Sequence, residues 1–317
     1  MKSRNKIALI ALLLILIILN IIFLIFSLQS KTSKEEIYNP RINPDDFSMS
    51  INNKYFTLIP KTKYIYEKQT EEGLERIEVY VTQETKDILG VETRVVWDRV
   101  WLNDELIEDT KDWYAQDKDG NVWYFGEESK EIIDNKIISY EGSWEAGVNG
   151  AKPGIIMKAN PKVNEFYRQE YYKGIAEDFG KVLSLKETVV IPYGTFTSCI
   201  KTQDYTPLEP QVKEYKYYCP EIGNVVLEVE EEERVELVKI EHNSEPQPEI
   251  KEEKLETKIT EEEAKEIALK KVSGKITDIE IEKKFGKIAY VVEIDADGIE
   301  TDVIIDINTG EVLGIET

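Results

Sequence analysis

Soft ligands and neutral-pH bases are scarce in this chain, whose 317 residues include two Cys and one His. Cys199 lies in TFTSCIKTQ and Cys219 in EYKYYC, and TPLEPQV stands between them. Both are equally far from Glu209, so a hairpin turning about that residue would set them face to face. Opposed residues of an antiparallel pair have Cα atoms about 4.5–5.5 Å apart, which a disulfide can bridge. Closing a loop of about 20 residues would stabilise by roughly 3 kcal/mol in the chain-entropy model. Two free buried thiols, or a redox pair, are the other readings.

Hard-cation chemistry needs several convergent oxygens. Asp117-x-Asp119-Gly120-Asn121 and Asp295-x-Asp297-Gly298 hint at such a set. An EF-hand loop requires Gly at its sixth position, where Val122 stands. Both runs read more simply as polar hairpin turns whose Gly takes positive φ. Trp97, Arg99 and Trp101 share a strand face, and Trp113 and Trp123 lie on the runs beside it. They would line an aromatic cleft for an apolar or sugar-like ligand, or else they pack as β-core. The acidic residues number 62, so a glycosidase-type carboxylate pair could be drawn almost anywhere and nothing selects one. No GxSxG, HExxH, P-loop or GxGxxG is present. Neither a cofactor nor a catalytic set is expected.

The elements that would position these residues are mostly strands. From 51 to 242 short β-type runs succeed one another, and few segments show a 3.6-residue period. Ile77, Val79 and Val81 alternate onto one face, and Asp117 to Gly120 makes a strong hairpin signal. Further strands are expected at 163–172, 182–191, 195–204, 213–219 and 224–240, with an irregular loop over 142–161. Such spacing predicts an antiparallel open barrel, half-barrel or sandwich. Residues 243–258 carry two Pro and many charges without an apolar face, and read as a linker. Beyond them Thr260 and Glu263 form a capping box. Ala264, Ile267, Ala268 and Val272 then line one helical face, and three alternating runs and a short fourth follow. That pattern is one helix on a small antiparallel sheet over 259–317.

The N-terminus sets the expected compartment. Residues 1–6 are basic and short, and Ile7 to Leu28 contains no charge. At 1.5 Å per residue this run covers roughly 33 Å, enough for a bilayer core of about 30 Å. Lys2, Arg4 and Lys6 place the N-terminus in the cytoplasm by the positive-inside rule. Residues 7–28 are therefore expected to contact the lipid bilayer as an uncleaved signal anchor, with 29–50 as a stalk and the rest extracytoplasmic. The net charge of -22 opposes binding to nucleic acid.

The tail adds a family resemblance. ITEEEAKEIAL, YVVEIDADG and IDINTGEVLGIE occur in the order found in PepSY domains, and residues 258–317 resemble one throughout. The resemblance implies an extracytoplasmic binding or regulatory module, of a kind proposed to restrain peptidases, and no catalytic residues. YFTLIPKTKYIYE, DWYAQDKDGNVWYFGE and IPYGTFTSCIKTQDYTPLEP resemble exported prokaryotic β-proteins of the lipoprotein-carrier, open-barrel type. The expected fold is therefore mainly β with a small α+β domain behind a transmembrane helix. The expected function is a non-enzymatic module of the cell envelope with an envelope protein as partner. The alternative is a half-barrel that binds a lipid or other apolar small ligand.

Overall fold

The computed structural model describes residues 38–246, 248, 253–296 and 298–317, and the structural statements below concern these. The expected anchor at 7–28 lies outside them. Among the described residues no helix is long and apolar enough to cross a membrane.

Twelve principal strands build the first domain. They are β1 (Thr62–Gln69), β2 (Leu74–Ile88), β3 (Val91–Leu102), β4 (Glu105–Asp117), β5 (Val122–Glu128) and β6 (Lys152–Met157), followed by β7 (Phe166–Arg168), β8 (Phe179–Ile191), β9 (Gly194–Tyr205), β10 (Glu214–Cys219), β11 (Asn224–Glu230) and β12 (Glu233–His242). All pairings are antiparallel and run β7–β8–β9–β10–β11–β12–β1–β2–β3–β4–β5–β6. The two ends of this order meet where Lys152 and Pro153 pair with Tyr171 and Glu170. The sheet is thus a nearly closed antiparallel barrel, where an open barrel or half-barrel was expected. The closing ladder falls partly in the stretch 142–161, expected to be a loop, because two-residue pairings leave no hydrophobic period to read.

Bulges supply the curvature that a closed sheet needs. The β2–β3 register shifts between Val81 and Thr85, and the β8–β9 register shifts at three places. The expected strand 224–240 is instead the β11–β12 hairpin. Its turn uses Glu231 at a φ of 49°, a conformation for which the sequence carries no Gly or Asn signal. Cys199 and Cys219 are joined by a disulfide, with Cα atoms 4.2 Å apart. The neighbouring pair Ile200↔Tyr218 fixes the register that sets them opposite each other.

A hairpin of Ile51–Asn53 and Phe56–Leu58 inserts into the barrel, where Phe56 and Leu58 join the main apolar core. Thr57 N donates to Gly223 O at 2.6 Å, and Asn53 Nδ2 donates to Gly120 O at 2.9 Å.

Described residues of the stretch expected to be a linker are laced to the barrel by hydrogen bonds. Ser244 N donates to Lys61 O at 3.0 Å, and Tyr80 Oη donates to Ser244 O at 3.0 Å. Arg99 Nη1 donates to Pro248 O at 3.3 Å. Ile137 N donates to Glu253 O at 3.1 Å, and Leu255 N donates to Ile137 O at 3.0 Å. These are mostly backbone bonds, so charged, Pro-containing composition does not forbid them.

The C-terminal domain follows the expectation. Helix α1 (Glu261–Lys271) opens with Thr260 and Glu263 in a reciprocal capping box. It packs on a meander of β13 (Lys275–Lys284), β14 (Lys287–Ala296), β15 (Ile299–Asp306) and β16 (Val312–Glu316). Ala264 and Ala268 meet Val292, Ile294, Val303 and Ile305, all fully buried.

Candidate functional site

Strand alternation decides which side chains of the barrel face inward. On β3 Val96 and Asp98 line an internal cavity of about 180 Å³, whereas Trp97, Arg99 and Trp101 take the opposite, outer face. The apolar part of the cavity comes from Phe56, Leu58, Tyr66, Val79 and Val225, and the polar band from Asp98, Asp112, Lys216, Asn224 and Glu228.

Lys216 is the cation of this interior. Its ammonium lies 3.1 Å from a Glu214 carboxylate oxygen and 4.0 Å from one of Glu228. The three side chains are each about a quarter exposed, and Lys216 and Glu228 line the cavity. Despite desolvation, Glu214 and Glu228 hold the Lys216 ammonium charged well above its usual range. Glu228 cannot share one ammonium equally with Glu214, and burial pushes its carboxyl up to about 8.

A second acid group adjoins the first. Tyr124 Oη lies 2.7 Å from Asp112 Oδ1 and 2.8 Å from Glu127 Oε2. One hydroxyl proton serves one carboxylate, so the other contact is satisfied when that carboxyl keeps its own proton and donates. Electrostatics agree with this geometry. Burial pushes Asp112 up to about 7, while burial and the nearby Asp112 push Glu127 up to about 8. A bulge creates the arrangement: Gly126, at a φ of 129°, lets Tyr124 and Glu127 reach the same partner on β4. Gly126 also passes so close to Trp144 O that an added Cβ would lie 2.2 Å from it. Near the closing ladder Trp144 Nε1 donates to Glu170 Oε2 at 3.0 Å, and Gln169 Nε2 donates to Asp204 Oδ2 at 3.1 Å. Burial raises Glu170 well above the carboxylate range and Asp204 to about 6.

This interior can store and share protons and can accept a cation. Among the described residues no group of three or more His, Cys, Asp or Glu is placed to hold a metal ion. Cys199 and Cys219 are consumed by their disulfide, and His242 lies at a strand end, 3.4 Å from Thr62 Oγ1.

The residues singled out in the sequence are placed otherwise. Trp97, Arg99 and Trp101 are only 4%, 4% and 7% exposed. The Arg99 guanidinium stacks 4.3 Å from the Trp97 ring, and Arg99 Nε donates to Asp109 Oδ1 at 2.8 Å. Arg76 covers Trp101 at 4.8 Å and Lys86 covers Trp113 at 3.3 Å, so these rings pack against cations. Trp123 stands apart, donating from Nε1 to Asp117 Oδ2 at 2.8 Å. Asp117 is the organiser of its turn: its carboxylate also accepts from Asp119 N, Asn121 N and Asn121 Nδ2. That leaves it no free position for calcium. Asp295 Oδ1 accepts from Gly298 N at 2.7 Å in the corresponding turn, and Asp297 lies outside the described residues.

The sequence reading missed Asp98, Asp112, Lys216 and Glu228. The usual polar-out, apolar-in rule assigns the Trp face of β3 to the core, and here the order is reversed. The available signal was a lone ionisable residue inside an aromatic run, as at Asp98 in VWDRVW and Lys216 in EYKYYC.

No curated protein and no solved structure matches the chain. Residues 258–316 match the family model described as the peptidase propeptide and YPEB domain, PepSY, and the helix-on-meander that ends this chain is a PepSY domain.

Proposed function

We propose that this protein is a non-enzymatic binding or regulatory module of the cell envelope, tethered by residues 7–28 with its barrel and PepSY domain on the extracytoplasmic side. The observation that carries the reading is the PepSY match over 258–316, because that family is described through peptidase propeptides. Its partner is then a secreted or membrane-bound peptidase, or another envelope protein. The domain offers apolar contact outside its core: Phe285 is 65% and Ile299 61% exposed. The barrel supports the non-catalytic part, since its acids are arranged to hold protons on one another rather than to activate a nucleophile.

A lipid cargo, the other reading of the sequence, asks for more room. The cavity of about 180 Å³ holds one ring or a short chain, since about 150 Å³ is enough for benzene, and it is too small for the acyl chain of a lipid.

The test is a photocrosslinking residue at Phe285 in living cells, followed by mass spectrometry. One peptidase or envelope protein enriched over a control label on the barrel supports the reading. A scatter of abundant neighbours, or a full-length chain recovered in the cytosol, sinks it.

A further inference from the structure

The polar band of the barrel cavity is unbalanced. Asp98, Asp112 and Glu228 face it, and Lys216, the cation among its lining residues, already gives its ammonium to Glu214 and Glu228. Asp98 Oδ1 is buried and accepts no hydrogen bond. A buried carboxyl oxygen without a donor costs free energy, and a charged donor would satisfy it best. The groups acting on Asp98 are Asp112, Glu108, Glu228 and Lys216, three acids against one committed base.

The rest of the cavity limits what that donor can be. Phe56, Tyr66, Tyr114 and Tyr218 contribute to the wall, and aromatic faces attract ammonium groups. A bare metal ion would leave this apolar part unused, and the carboxylates do not converge on a metal-binding geometry. An anion would face three acids. The volume is about 180 Å³, and a cavity of about 150 Å³ is enough for benzene. There is space for one ring, or a short chain, and a charged head.

We propose that the barrel cavity binds a small primary ammonium compound with a compact apolar body, its ammonium accepted by Asp98 and Asp112 and its body lying against Phe56, Leu58 and Val225. In the empty barrel, burial and the neighbouring acids keep the Asp98 carboxyl protonated, its affinity for the proton raised far above the usual carboxylate range. The entering cation takes the place of that proton, so binding releases protons to solvent. This inference does not depend on the PepSY reading: a protein with no peptidase partner could still hold the amine, and the reverse.

The probe is benzylamine, titrated calorimetrically into the full chain in a non-ionic detergent at mildly alkaline pH, where proton release is favoured and the amine is still charged. Saturable binding is expected, with a heat that varies with the ionisation enthalpy of the buffer because protons leave. Benzyl alcohol, of similar shape and uncharged, is expected to bind at least about tenfold more weakly. Asp98→Asn removes the carboxylate while keeping the shape of the side chain, so it should abolish benzylamine binding in a chain that still unfolds cooperatively. The proposal is overturned if benzylamine does not saturate, if benzyl alcohol binds equally well, or if a folded D98N binds like the parent. Should D98N fail to fold, the amine–alcohol comparison on the unaltered chain decides alone.

Discussion

Replacing Asp112 by Asn should make the barrel more stable at alkaline pH and should flatten its pH dependence. In the folded barrel burial holds Asp112 up to about 7, while in the unfolded chain it titrates near 3.9. Between about pH 4 and about pH 7 the unfolded chain therefore binds fewer protons than the folded one, and stability falls as pH rises. The whole loss for this one group is about three pH units at 1.36 kcal/mol each, or about 4 kcal/mol. From about pH 5 to about pH 8 the part still to be lost is about 2–3 kcal/mol. The amide of D112N would have no titrating proton to keep. It could still donate to Tyr124 Oη, leaving the hydroxyl proton for Glu127, whose own pKa would fall once position 112 is neutral for good. The variant should therefore gain about 2–3 kcal/mol on the parent between those two pH values, whatever the pH-independent cost of the amide. Urea unfolding followed by tryptophan fluorescence reads this directly. The five Trp all lie between residues 97 and 144, so the signal comes from the barrel and not from the PepSY domain. An equal stability difference between variant and parent at both pH values would refute the shared-proton account of Asp112, Tyr124 and Glu127.

Three other outcomes follow from the same structure. Gly126→Ala puts a Cβ 2.2 Å from Trp144 O at a φ of 129°, so it should cost more than about 2 kcal/mol, seen as a lower urea midpoint with loss of the alkaline proton-sharing transition. Cys219→Ala opens the loop from Cys199, whose ends are 20 residues apart, and should cost about 3 kcal/mol; a reductant should lower the melting temperature of the parent and leave the variant unmoved. Asp109→Ala strands the Arg99 guanidinium at a site 4% exposed, which should cost about 3–5 kcal/mol, whereas an exposed pair such as Lys61–Glu245 should cost under about 1 kcal/mol in the same unfolding assay.

Local patterns and symmetric spacings were readable from the amino acids. The Cys199–Cys219 pairing came from distances along the chain to Glu209, and the hairpin register bears it out. The PepSY helix came from Thr260 and Glu263, whose side chains close on each other's backbone. The β-rich character and the inward set Ile77 and Val79 came from alternation. What alternation could not give was the sign of a face. Trp97 and Trp101 look like core and Asp98 looks like surface, yet the outer wall is covered by residues more than a hundred positions away while the interior keeps a polar cavity. Choosing Asp98, Asp112 and Glu228 from 62 acids required the closed sheet itself. The laced segment escaped for a related reason: its attachment runs through backbone donors and acceptors at Ser244, Pro248, Glu253 and Leu255, to which composition is blind.

That lacing changes how far the PepSY domain can roam. A flexible leash of the same length would let it explore a sphere of positions and would dilute it against any target held beside the barrel. The described residues of the segment bond to Lys61, Tyr80, Arg99 and Ile137, Leu255 packs on the core of the domain, and Lys283 of the domain pairs with Asp134 at 2.7 Å and Glu105 at 3.6 Å on the barrel side. The domain is therefore held against the barrel rather than on a free leash, and any partner of the kind proposed would meet both domains at once.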